Sequence, residues 1–316
     1  MENRRKISIV TPCFNEELNI ELCHLAVKET MQALSEKYNY EHIFSDNAST
    51  DKSYEILNRI AKEDKCVKVL FNSRNVGPFR NMASALKLTT GDAVVPMVPA
   101  DLQDPPHLIE NFLKEWEKGF NVIYGIRENR KEGFFLRKSR DFYYYLLKVS
   151  GGITPPANAG EFMLIDRKVV NAINSVDDEY PYLRGMVAQA EPRYSSVSYE
   201  WATRDHGKSR NSLFDLFDQA LNGIITTTKI PARLSMFFGI IMSFAGIFIG
   251  FYNLLNFLFS EPNTQQGIPT LIVAVFIFGG LNLLFLGLVG EYVLAIYSQV
   301  RKPPGMYHTE KLNFDS

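Results

Sequence analysis

"KISIVTPCF", Lys6–Phe14, is the stretch that decides the fold. Its apolar run ends at Thr11, too soon for the hydrophobic segment of a secretion signal, and the length suits a buried strand. An amphipathic stretch with helical spacing follows, Leu18 to Leu34. The same pairing then recurs. "YEHIFSD", "VKVLFN", "AVVPMVP" and "NVIYGIR" read as strands, and Ser53–Ile60, Phe79–Leu88 and Leu108–Trp116 as helices. Thr50-Asp51 suits a helix cap, and Pro105-Pro106 suits a helix start. Strand and helix alternating in this way predict an α/β fold, a parallel sheet with helices on both faces.

Ligands of such sheets bind beyond the carboxyl ends of the strands. The residues there are polar at four successive ends: Thr11, Pro12, Asn15 and Glu16; Asp46, Asn47, Ser49 and Asp51; Asn72, Ser73, Arg74 and Asn75; Asp101 and Gln103. Any one of them could be a turn or cap residue. Their agreement singles out one rim. No G-x-G-x-x-G follows the first strand, "GKS" at Gly207–Ser209 lacks the upstream glycine of a phosphate loop, and no Gly-x-Ser-x-Gly elbow or Cys/His pair is present. A carboxylate beside an amide oxygen, as in "MVPADLQDPP" (Met97–Pro106), suits a hard divalent cation that fills its other positions with water and substrate phosphates. A phosphorylated small molecule is the expected ligand.

The net charge of -1 speaks against a nucleic-acid partner. The three cysteines, Cys13, Cys23 and Cys66, have no framework or metal-type spacing, as expected in a reducing compartment.

The last third differs in kind. Leu234–Phe259 and Ile268–Gly290 contain no charged residue, and each is long enough to cross the roughly 30 Å hydrocarbon core as a helix. The linker "SEPNTQQG" carries only Glu261, whereas Lys229, Arg233, Arg301 and Lys302 flank the outer ends. The positive-inside rule then puts the head and both termini in the cytoplasm. The expected organisation is a head over 1–205, a juxtamembrane region over 206–232, a transmembrane hairpin over 233–300 and a cytoplasmic tail over 301–316. In the juxtamembrane region Leu213, Phe214, Phe217, Leu221 and Ile224 fall on one helical stripe, suited to the plane of the headgroups or to packing on the head.

In order and spacing, "VTPCFNEELNI", "SDNASTDKS", "NSRNVG" and "PADLQDPP" resemble the motifs of family 2 glycosyltransferases with the GT-A fold. "YGIRENRKEG", "NAGEFMLIDRKVV" and "RDHGKSR", followed by the apolar hairpin, narrow the resemblance to polyprenyl-phosphate glycosyltransferases of the dolichyl- and undecaprenyl-phosphate type. It covers roughly residues 6 to 300. The resemblance implies a Rossmann-like, mostly parallel sheet and inverting transfer from a nucleotide-sugar donor to a membrane polyprenyl phosphate, in an integral protein of the inner or plasma membrane. It puts Pro12, Phe14, Asn15, Glu16, Asp46, Ser49 and Asn75 at the donor, with Asp101 and Gln103 holding Mg²⁺ or Mn²⁺ on its pyrophosphate.

Several positions depart from the family pattern. Pro99 stands where the first acidic residue of Asp-x-Asp-Leu-Gln is usual, which puts the metal requirement in question. Asn47-Ala48 replaces Asp-Gly, Pro78 replaces lysine, and Glu161 replaces aspartate.

A lipid phosphate is already an anion, so no base is needed to activate it. It must instead be gathered beside a second anion, a task for arginine. Arg127, Arg130, Arg137, Arg204, Lys208, Ser209 and Arg210 are the expected acceptor-phosphate residues, with Asp101, Arg127, Arg137, Glu161 and Arg204 the expected catalytic set. A solvated or headgroup-facing surface is the plain alternative for the cations. For Glu161, orienting a sugar hydroxyl or an arginine and simple structural pairing both stand open. Two other readings are an impaired nucleotide-sugar or lipid-binding scaffold, for which Pro99 speaks, and a processive polysaccharide synthase, against which the missing Gln-x-x-Arg-Trp motif speaks. The sugar, the nucleotide, the polyprenol length and the oligomeric state, a homo-oligomer included, are open from sequence.

Overall fold

In a computed structural model of the chain, described over residues 4–128, 156, 158–176, 178, 181–200, 230–259, 267–301 and 308–314, the first apolar run becomes β1 (Arg5–Cys13). α1 (Ile20–Ala33), β2 (Tyr38–Asp46), α2 (Ser53–Glu63), β3 (Val67–Asn72), α3 (Pro78–Leu86), β4 (Ala93–Val95), α4 (Ile109–Glu117) and β5 (Val122–Glu128) follow where the sequence periodicity predicts them. A 3-10 turn over Pro106–Leu108 leads into α4, because proline at the first position needs no backbone donor. β4 is shorter than its apolar run. Pro96 has no N–H for the ladder, and the chain touches β1 again only at Val98, whose N–H donates to the Val10 carbonyl at 2.8 Å.

Three strands were not legible as such: β6 (Ala159–Asp166), β7 (Ser195–Glu200) and β8 (His308–Leu312). The sheet order is β7-β5-β6-β4-β1-β2-β3-β8. β6 lies antiparallel between β4 and β5, and β8 pairs antiparallel with β3, while the other strands run parallel. The sheet is therefore mixed but mostly parallel. The tail beyond the hairpin, expected as a plain cytoplasmic end, supplies its edge strand.

Both faces of the sheet are covered, so the central strands are apolar on both sides. On one face Ile7, Ile9, Phe44 and Val69 pack against Val27 of α1, Leu57 of α2 and Phe112 of α4. On the other, Val10, Ile43, Leu70 and Met163 meet Met82 of α3 and two further helices, α5 (Arg167–Asn174) and α6 (Leu183–Ala190). Each fully buried side chain of this size contributes about 1.5–3 kcal/mol.

A second unit holds α7 (Ile230–Phe259) and α8 (Gly267–Arg301). Each has a stretch long and apolar enough to cross a membrane, Ala232–Tyr252 and Ala274–Arg301. Large side chains such as Phe244, Phe248, Phe276 and Leu283 are exposed on them. α8 runs as one helix past the charge-free segment to Arg301, carrying Glu291.

Candidate active site

β1, β2, β3 and β5 all end on one edge of the sheet, and β6, running the other way, begins there. The loops after β1 and β2 are laced together by short polar side chains. Asn15, with φ at +54°, donates its N–H to Ser49 Oγ at 2.8 Å and accepts from Thr50 N–H through Oδ1 at 2.7 Å. Ser49 donates in turn to the buried Asp46 carboxylate, from its hydroxyl and, at 3.0 Å, from its N–H. Burial raises the Asp46 carboxyl above its ordinary range, although these donors oppose the shift. Glu16 N–H reaches Ser53 Oγ at 3.1 Å, and Asp51 Oδ1 accepts the Ser53 N–H at 3.0 Å, which starts α2. Asp46 and Ser49, expected at the donor, thus also hold the rim in shape.

The loop after β3 is held by amides. Asn47 Nδ2 donates to Asn75 Oδ1 at 2.9 Å, and Asn47 Oδ1 accepts the Val76 N–H at 2.9 Å. An aspartate at 47 could not make the first bond. Asn75 itself is exposed at the rim.

Asp101 and Gln103 sit on a tight turn in which Leu102 N–H donates to the Pro99 carbonyl at 3.1 Å and Gln103 N–H to Asp101 Oδ1 at 3.3 Å. Leu102 has φ at +56°, a strained setting for a branched-chain residue, and its side chain packs on the core. Pro99 and the partly buried leucine leave the flanking Asp101 and Gln103 half-exposed at the rim. One carboxylate beside one amide oxygen fits a hard cation that keeps water and phosphate as its other ligands. Among the described residues no group of three His, Cys, Asp or Glu side chains is placed to hold a metal by itself.

Asp104, left unassigned by sequence, is buried three residues further on. It takes Arg127 in a two-pronged ion pair, Nε to Oδ1 at 3.0 Å and Nη2 to Oδ2 at 2.5 Å, and also accepts from the Tyr199 hydroxyl. Gly160 makes room for the guanidinium, since a Cβ there would lie 3.2 Å from Arg127 Cζ. Glu161 lies across the sheet from this group. It pairs with Arg184 of α6, Nε to Oε1 at 2.7 Å, and Arg184 also donates to the Ala159 carbonyl at 2.7 Å. Burial raises the Glu161 carboxyl, while Arg184 and, to a smaller extent, the charge of Arg127 pull it back. Arg127 and Glu161, expected in one catalytic set, therefore point to opposite faces at the end of the sheet. Arg130, Arg137, Arg204, Lys208, Ser209 and Arg210 lie outside the described residues, as does the juxtamembrane stripe. Asp104, Arg184 and Tyr199 escaped the sequence reading because their partners are far along the chain. A buried Asp in a proline-rich turn was the only local signal.

A mostly parallel sheet with this rim, and with an antiparallel strand inserted beside β4, is the architecture of the GT-A fold. The family described as glycosyl transferase family 2 matches residues 8–173. The uncharacterized glycosyltransferase YkcC of Bacillus subtilis is 34% identical over 98% of this chain and 95% of its own length. A bactoprenol glucosyl transferase of Shigella flexneri, derived from prophage SfII, is 30% identical over 95% of this chain and 96% of its own. Glucosyl-3-phosphoglycerate synthase of Mycobacterium tuberculosis matches in structure with a TM-score of 0.48 at 19% identity, covering 70% of this chain and 79% of that one. The chain belongs to glycosyl transferase family 2 and is an inverting glycosyltransferase.

Proposed function

We propose that the protein transfers a sugar, with inversion, from a nucleotide-sugar donor to the phosphate of a membrane polyprenyl phosphate. The carrying observation is that its likeness to the bactoprenol glucosyl transferase spans 95% of the chain, and so takes in the apolar hairpin that a lipid acceptor calls for as well as the head. The donor lies over the rim, against Pro12, Phe14, Asn15, Glu16 and Asn75. Asp101 and Gln103 would hold Mg²⁺ or Mn²⁺, which when bound offsets the charge of the pyrophosphate. Asp101 is the one carboxylate of that pair, and its removal is felt at the leaving group.

The acceptor phosphate is anionic without a base, and Arg130, Arg137, Arg204, Lys208, Ser209 and Arg210 gather it. Arg127 belongs to the same set, and its pair with Asp104 also braces the Asp101–Asp104 turn against β5. Glu161 is read as the structural partner of Arg184. The hairpin sits in the inner or plasma membrane, with the head and tail in the cytoplasm. What supports this topology is that β8 follows the two apolar helices and still pairs with β3, so an even number of crossings separates two parts of one sheet.

Purified protein in lipid nanodiscs, given undecaprenyl phosphate and UDP-, GDP- and dTDP-sugars with Mg²⁺, Mn²⁺ or EDTA, tests the reading by mass spectrometry of the lipid. A metal-dependent glycosyl-phosphate lipid is expected from one donor. Asp101→Asn should lower kcat on the order of 100-fold. No glycolipid from any donor, with nucleotide binding intact, would overturn the proposed acceptor.

A further inference from the structure

The tail strand does more than close the sheet edge. β8 pairs with β3 from Val69↔Leu312 to Phe71↔Glu310, and then slips, so that Asn72 faces His308 across a bulge. Bulges re-aim side chains, and this one turns His308 onto the end of β3. There His308 Nδ1 lies 2.9 Å from Asn72 Oδ1, and its Nε2 lies 3.1 Å from Ser84 Oγ on α3. Asn72 has spent its own N–H groups elsewhere. Nδ2 donates to Asn81 Oδ1 at 2.8 Å and, more weakly, to Asn47 Oδ1 at 3.5 Å. The Oδ1 of Asn72 is therefore the atom offered to His308, which makes Nδ1 the protonated nitrogen of a neutral ring, with Nε2 accepting from Ser84. Burial holds the imidazole below its ordinary pKa, and Lys311 adds to that, in keeping with the neutral ring.

From His308 the amides form a continuous chain to the rim. Asn72, Asn81 and Asn47 are all buried, and Asn47 positions both Asn75 and the Val76 N–H. Such a buried polar network fixes geometry only while each member keeps its partner.

We propose that His308, delivered by the C-terminal strand, is a positioning residue for the donor site, acting through Asn72 and Asn47 on the Asn75 loop. This rests on the reading of that loop as the nucleotide-sugar site. The tail returning from the hairpin thereby becomes a part of the catalytic head.

The test compares wild-type protein with His308→Phe, which keeps the ring's shape without its donor, and His308→Asn, whose amide can replace Nδ1–H toward Asn72. Tyr54→Phe serves as the control: it removes the 2.7 Å bond from Tyr54 to Glu310 of the same strand and leaves His308 alone. Calorimetry with UDP, GDP and dTDP reads the donor site without any acceptor, and KM and kcat follow for the donor that works. His308→Phe should weaken binding of the preferred nucleotide and raise donor KM roughly 3- to 10-fold, with acceptor KM unmoved, the size of one lost hydrogen bond. His308→Asn should recover most of it, and Tyr54→Phe should lower Tm without moving KM. Equal nucleotide affinity in His308→Phe and wild type, whatever the change in Tm, would sink the proposal. So would a loss of affinity in Tyr54→Phe as large as in His308→Phe, since the strand as a whole would then be responsible. Nucleotide binding without glycolipid would remove the polyprenyl-phosphate acceptor and leave His308 to be judged on affinity alone.

Discussion

At the scale of single residues, the strongest electrostatic feature stands away from the rim. Glu41 on β2 is buried between Lys6 and Lys68, each 2.8 Å away, and also accepts from Ser8 at 2.6 Å and from the Thr90 N–H at 2.7 Å. Burial by itself would raise its carboxyl, but the two lysines and these donors outweigh it and bring the pKa to about 2. His42, buried beside it in sequence, is pushed down to about 3 by desolvation and by His24. The signs agree in acid. A histidine whose folded pKa is depressed takes up its proton in the unfolded chain first, so stability falls as pH drops below about 6.5. Ionised Glu41 contributes stability above the ordinary 4.5, and that contribution is lost as pH falls through about 2. Glu41→Gln should cost about 3 kcal/mol at pH 7 and flatten the dependence below pH 4.5, measured by urea unfolding across pH.

At the scale of elements, two connections carry information that a run of residues does not. The turn after β2 holds Ala48 at φ +59°, where an L side chain meets its own backbone. That is the position at which the family pattern has glycine, so the departure noticed in sequence has a conformational cost. Ala48→Gly should gain about 1 kcal/mol and raise Tm by a few degrees in differential scanning calorimetry, with donor KM unchanged. The edge strand is the second case. β8 alternates half-buried and exposed residues over only five positions, which by composition reads as a polar tail. Its anchors are long-range: Asn313 Nδ2 donates to the Ala61 and Val67 carbonyls at 2.6 and 2.7 Å, and Thr309 to the Phe71 carbonyl at 3.1 Å.

At the scale of the whole molecule, the apolar hairpin and the sheet make opposite demands on solvent. The two helices, each long and apolar enough to cross a membrane, expose large apolar side chains, whereas the head buries its own. With both ends of the hairpin joined to one sheet, cysteines introduced singly at Glu2 and at Ser316 should be labelled by an impermeant maleimide only after inverted or opened vesicles are used, after Cys13, Cys23 and Cys66 are replaced. Labelling of one terminus from the outside would break the proposed topology. Cys13 and Cys23 should react poorly in any case, for both are buried and Cys23 is pushed up to about 12, which leaves the half-buried Cys66 as the native thiol that must be replaced.

Sequence by itself determined the local features: the first five strands, the four helices between and beside them, the polar rim and the two apolar helices. Each depends on periodicity within a few residues or on a run of uniform character, and both survive in one dimension. What only the tertiary structure decided was pairing between distant segments. β6 inserts antiparallel beside β4, Asp104 takes Arg127, Arg184 takes Glu161, and His308 reaches Asn72 from the far end of the chain. Such contacts form because a buried charge or amide must find a partner, and the sequence states that need without saying which residue the fold will bring to meet it.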